Sequence, residues 1–329
     1  MRLQAKALHN LLRKEALSDP SHAYESWQIE DYRELSTYEL FERLERLGLC
    51  LTEENFLIYA EGQSSPEELT LTLWSSQTQK DHIYLLLFEL WRRLLPEKQS
   101  LSIFCDELEH RIDLYEKNPA SQESAMINTL IRLEEILNEQ QDEGAKPKAV
   151  FEAIGLYCAH DLSSFLYHYI TDQIDNDHFE YAAELIESFY LFIPDPLGFD
   201  FLNAQILSHH NTHEANLVLK RTLNELKKTT DLDLLLEISS FLTSHGDPHL
   251  FHQAVRQAFE LIRVEEDFQE LLAIVADYYG FCDMEEEEEK LQAIFTKRAE
   301  KDPETPLTKE DRDIQCFSLF LEDADWSKI

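Results

Sequence analysis

Phe179-Glu180-Tyr181-Ala182, Thr212-His213-Glu214-Ala215 and Phe251-His252-Gln253-Ala254 are three short strings that each close on alanine, with the alanines 33 and then 39 positions apart. Each string stands where a helical segment opens, and each follows another segment of helical periodicity. A small residue there lets the second helix of a pair lie close against the first. Self-similarity at this spacing is the mark of stacked helical hairpins, in which one unit buries its apolar face only against its neighbours.

The pattern resembles the tetratricopeptide repeat, a helix–turn–helix unit of about 34 residues. Phe179-Glu180-Tyr181-Ala182 is the best match, with Pro194 twelve positions after the alanine, where that family ends its second helix. Leu202 and Phe241 fall at a large apolar position of the first helix. Ile170, Asn203 and Leu242 depart from the family's small residue, and the likeness covers roughly residues 158–264. It implies a right-handed superhelix that binds a peptide in a groove lined by its first helices. In that register Ser164, Tyr167, Thr171, Asp200, Ala204, Ser239 and Thr243 face the groove. The lysines and asparagines with which family members clamp an acidic C-terminal peptide are missing from these positions.

Helical periodicity extends over the rest of the chain, so the expected fold is all-α, with an N-terminal helical region before the repeats. Ser36 and Glu39 form a capping box ahead of Leu40, Phe41, Leu44 and Leu47. Ser65-Pro66-Glu67-Glu68 reads as another helix start. Long helices are expected near residues 79–95, 101–115 and 122–140, and one beginning at Glu285–Glu289, where the five glutamates read as a solvated face. No alternating run bounded by hairpin signals appears, so no sheet is assigned. The polar stretch Asn138–Lys148, with Gly144 and Pro147, marks a boundary, and Lys301–Thr308 sets off a segment ending in Trp326. The expected division is residues 1–143, 144–300 and 301–329.

Charge narrows the function. The chain has 329 residues with 65 Asp and Glu against 29 Lys and Arg, a formal net charge of −36. Such a polyanion repels phosphate backbones and anionic lipid surfaces, which removes nucleic acid and membranes from the expected partners. The longest apolar run, Ile83–Phe88, is far too short to span a bilayer. Residues 149–219 hold eleven carboxylates and six of the thirteen histidines but no Lys or Arg. The expected partner is therefore another protein, through a basic or mixed basic and apolar segment. Tyr167, Thr171, Asp172, Asp175, Asp177 and Asp200 are the candidate contact residues. Cys50, Cys105, Cys158, Cys282 and Cys316 form no CxxC and read as buried free thiols of a cytoplasmic protein. The basic amphipathic start, MRLQAKALHNLLRK, reads as a docking helix, with a targeting signal as the alternative.

Chemistry is sparse. Ser208–Glu214, SHHNTHE, carries His209, His210 and His213 beside Glu214, but the order is HxxHE rather than the HExxH of helical metalloproteases. The repeat register makes it a polar helix entrance. Glu107 and His110 form a single ExxH, His160-Asp161 a bare pair, and neither phosphate-cradling glycines nor GxSxG occurs. The expected function is a non-enzymatic scaffold, chaperone or assembly factor with no cofactor or metal. The alternative is a helical metal-dependent enzyme using His160, His168, His178, His209, His210 and His213 with nearby aspartates.

Overall fold

Ser36 opens its helix as the sequence requires: its hydroxyl accepts from the Glu39 amide while the Glu39 carboxylate accepts from the Ser36 amide. Helices dominate the computed structural model, which describes residues 5–19, 23–71, 73, 75–308 and 310–323. Among them are α1 (Ala5–Ser18), α2 (Ser26–Ile29), α3 (Thr37–Arg46), α4 (Glu53–Tyr59), α5 (Gln77–Leu94), α6 (Leu101–Lys117), α7 (Pro119–Asp142), α8 (Pro147–Gly155) and α9 (Leu162–Asp175). Then follow α10 (Phe179–Phe189), α11 (Leu197–Ser208), α12 (Thr212–Leu226), α13 (Leu232–His245), α14 (Pro248–Leu261), α15 (Glu265–Phe281), α16 (Glu285–Arg298) and α17 (Arg312–Asp323). The fold is all-α, with no strand among the described residues, and Trp326 lies outside them.

Two compact units form, Met1–Leu166 with Leu191–Pro194, and Tyr167–Tyr190 with Asp195–Ile329, so the division runs through α9. This differs from boundaries at 143 and 300. Asn138–Lys148 is a tight corner inside the first unit: Gly144 takes φ 96°, the Ala145 amide reaches back to the Gln140 carbonyl, and Pro147 starts α8. Lys301–Thr308 lies along the start of α15, where Glu265 N donates to Thr305 O at 2.9 Å and Leu307 N to Arg263 O at 2.9 Å. Phe317 and Leu321 of α17 then enter the core of the second unit.

In the first unit α5 is the central helix, with every residue from Ile83 to Trp91 buried. Two buried carboxylates hold its surroundings together. Glu89 accepts from Arg92 and from Arg93 Nε at 2.6 Å. Asp106 on α6 accepts from Arg33 at 2.7 Å and Asn10 at 3.0 Å, with Lys6 at 3.3 Å. Burial alone would push the Asp106 pKa up, but Lys6, Arg33 and Asn10 outweigh it and hold it at about 2. Lys6 and Asn10 belong to α1, so the basic N-terminal helix docks on its own chain. Ser65-Pro66 does not start an α-helix; a 3₁₀ turn, Glu68–Thr70, buries Leu69 instead.

The second unit pairs its helices in order: α11 packs on α12, α13 on α14 and α15 on α16. The first helices also meet each other, α11 with α13 and α13 with α15, as do the second helices α12 and α14. Ala182, Ala215 and Ala254 are fully buried, the first two one turn into α10 and α12, whereas Ala254 lies nearly two turns into α14, which opens at Pro248 rather than at Phe251. Thiols depart from expectation. Cys105 is buried, whereas Cys50 and Cys316 are exposed and all five are unpaired.

Replacing Ala254 with arginine should overfill the α13–α14 contact and bury a charge, lowering stability by about 2–4 kcal/mol in thermal melting. Glu285→Gln on exposed α16 should change it by no more than about 0.5 kcal/mol. Equal melting of both variants and the parent would break the hairpin register.

Candidate functional site

Tyr167 joins three helices of the second unit. Its ring lies against α11 where Gly198 sits: a Cβ there would stand 3.0 Å from the ring, so glycine permits the approach. Its hydroxyl donates to the Glu237 carboxylate on α13. Burial and Glu237 together push the phenol pKa well up, leaving Tyr167 a proton donor at all ordinary pH. Asp200 on α11 accepts from Tyr190 at 2.9 Å, and burial raises its pKa against the opposing effects of Tyr190 and Arg221.

The remaining candidates are placed apart from this contact. Thr171 donates to the Tyr167 carbonyl of its own helix at 3.0 Å. Asp172 and Asp175 are exposed near the C-terminal end of α9, and no basic residue stands in its last turn. Asp177 follows at φ 61°, with the His178 amide closing on the Gln173 carbonyl at 2.9 Å. It therefore caps α9 in the position usually given to glycine. Three carboxylates at the negative end of a helix dipole accumulate unfavourable charge. Two positions assigned to the groove are corrected. Ala204 and Ser239 are buried, and the Ser239 hydroxyl bonds the Leu235 carbonyl within α13.

Charge is sorted by helix. α9, α11, α13 and α15 contain ten Asp and Glu and no Lys or Arg, while α12, α14 and α16 carry six cations and Lys227, Lys228, Arg263, Lys301 and Arg312 stand in the connecting segments and α17. The Lys-free run of residues 149–219 is thus the beginning of an alternation that continues to Phe281. Of the ten, Glu265 alone is buried, paired with Arg298 at 2.5 Å. Glu270 on α15 shows the consequence. Partial desolvation raises its pKa, and the charges of Asp233, Asp267, Glu266 and Glu237 raise it further. These residues lie outside the expected contact set. Counting Lys and Arg helix by helix, rather than along a continuous window, is the signal that finds them.

No protein-family model, curated protein or solved structure gives a significant match to this chain.

SHHNTHE is a helix entrance, since His209 caps α11 and Asn211 accepts from the Glu214 amide at the start of α12. His209 lies against Phe179 with ring centroids 4.1 Å apart and the rings tilted by 36°. His178 bonds Gln173 at 3.0 Å, and His168 meets Tyr167 edge-on. His160 stands in the first unit, with carboxylates of α6 rather than with the other histidines.

Neutralising Asp233 and Glu237 as Asn and Gln should move the Glu270 titration midpoint down toward the ordinary 4.5, read by carbon-detected NMR. A raised folded-state pKa means that the fold binds this proton more tightly than the unfolded chain. Acidification through that midpoint therefore favours the fold in the parent, and less so in the double variant. An unmoved midpoint would show that these charges do not act on one another.

Proposed function

We propose that this protein is a non-enzymatic binding scaffold, of the chaperone or assembly-factor kind, whose hairpins stack as a tetratricopeptide-like superhelix. It holds a basic, partly apolar segment of another protein against α11, α13, α15 and the part of α9 from Tyr167 onward. One observation carries this reading: the stacked helices α11, α13 and α15, joined to α9 through Tyr167, hold with it ten carboxylates and not one cation. Like charges around Glu270, which add to burial in raising its pKa, leave that layer electrostatically strained, and a cationic ligand relieves the strain.

Tyr167 and the half-buried Phe241, stacked on His245, supply apolar surface beside the acids. Asp172, Asp175 and Asp177 extend the field at the end of α9 and serve to draw the segment in. No helix among the described residues is long and apolar enough to cross a membrane. Five unpaired cysteines fit a reducing compartment such as the cytoplasm.

Fluorescence anisotropy with a designed amphipathic peptide, leucine on one helical face and lysine on the other, tests the reading. The peptide should bind, and its affinity should fall at least about tenfold as added salt shortens the Debye length from about 10 Å at 0.1 M to about 3 Å at 1 M. Asp233→Asn with Glu237→Gln and Glu270→Gln should weaken binding. The triple change of Asp172, Asp175 and Asp177 to Asn should mainly slow association. The same peptide with glutamate in place of lysine should not bind. Binding that ignores salt and both sets of substitutions would defeat the proposal.

A further inference from the structure

His160 presents an unanswered lone pair to two carboxylates. Its side chain is 9% exposed, and its Nδ1 lies 2.7 Å from Glu109 Oε2. Glu109 is itself buried and fixed, because its Oε1 accepts from the Ala159 amide at 2.8 Å and the His160 amide at 2.9 Å. This hydrogen bond assigns the proton of the neutral imidazole to Nδ1 and leaves Nε2 as a base. Nε2 is buried and has no hydrogen-bond partner. It faces Asp113 Oδ1 at 3.8 Å and Glu116 Oε1 at 3.6 Å, both beyond hydrogen-bond reach.

Three Lewis bases converging without a proton between them make a cation site. Glu109, Asp113 and Glu116 follow one another at four- and three-residue steps and so share one face of α6. The carboxylate behind the imidazole repeats the arrangement that orients histidine ligands in metalloproteins. Around an ion held at 2.0–2.1 Å in tetrahedral geometry, ligand atoms stand about 3.3 Å apart. The two gaps to Nε2 exceed this by a few tenths of an ångström, all three ligand atoms lie within 4.8 Å of one another, and Asp113 and Glu116 are exposed enough to close in. Asp113 also lines a cleft beside α1, with Arg13 and Lys14, which opens the position to solvent.

We propose that His160 Nε2, Asp113 and Glu116 bind one divalent first-row transition-metal ion, with Glu109 orienting the histidine. One imidazole and two carboxylates suit zinc, cobalt, iron or manganese, and three protein ligands leave a coordination position open. The site is independent of the acidic layer of the second unit.

Isothermal titration of the chelator-washed full chain with Zn²⁺ tests it, alongside the visible absorption of the Co²⁺ form. One ion per chain is expected, with Co²⁺ bands of low-symmetry coordination. His160→Gln should abolish the bands and lower zinc affinity at least about tenfold, and Glu109→Gln should lower it about 10–100-fold. Asp113→Asn with Glu116→Gln, on exposed side chains, should do the same without disturbing the circular dichroism, and decides the matter if His160→Gln does not fold. His213→Gln should leave binding unchanged. Absence of stoichiometric uptake, uptake indifferent to Asp113 and Glu116, or equal loss in His213→Gln would overturn the proposal.

Discussion

Scarcity of positive charge is the constraint under which this chain folds. With 65 carboxylates and 29 Lys and Arg, the cations cannot neutralise the surface, and several of them serve buried acids instead. Arg33 and Lys6 hold Asp106, Arg92 and Arg93 hold Glu89, and Arg298 holds Glu265, each acid no more than 4% exposed. A buried carboxylate stripped of its partner costs about 3–5 kcal/mol, so these cations are not free to move outward. Arg298 shows the arrangement most fully: it also reaches Asp311 at 2.7 Å and Asp313 at 3.3 Å, tying the segment after α16 to the base of α15.

The surface charge that remains is distributed by hairpin geometry. Buried alanines set each second helix against its partner, and the first helices then stack on one another through α11, α13 and α15. Because α11, α13 and α15 contain no Lys or Arg, stacking concentrates their acids into one layer. Burial and then the charges of Asp233, Asp267, Glu266 and Glu237 raise the pKa of Glu270, so that sorting is felt locally there. The proposed binding role and the proposed metal site draw on the same shortage. In both places carboxylates converge without enough protein cations to answer them.

Much of the fold was legible in local chemistry. The Ser36 capping box, the helices of the first unit between residues 77 and 142, and the alanines at 182, 215 and 254 are all written in short-range patterns. Ser65-Pro66 misled because a good helix start was followed by only a short run before Ser76 capped α5. The corner at Gly144 looked like a linker because polar residues and glycine serve a tight helix-to-helix turn as well as a flexible one. Tyr167 was readable as a contact residue, but its links to Gly198 and Glu237 span 31 and 70 positions and exist only once the helices stack. For His160 the obstacle was similar. Its neighbour Asp161 suggested a motif, whereas its partners stand on α6, 44 to 51 positions earlier.

Carboxyl footprinting, by carbodiimide coupling of an amine followed by peptide mass mapping, with and without a bound lysine-rich amphipathic peptide, tests most directly the claim that cations are held inward while one layer stays uncompensated. Asp233, Glu237 and Glu270 should label readily in the free protein and become protected by the peptide. Glu89, Asp106 and Glu265 should resist labelling in both states. Labelling of the inward acids at the same rate as the outer ones, or protection falling on the second helices instead of α13 and α15, would contradict the account.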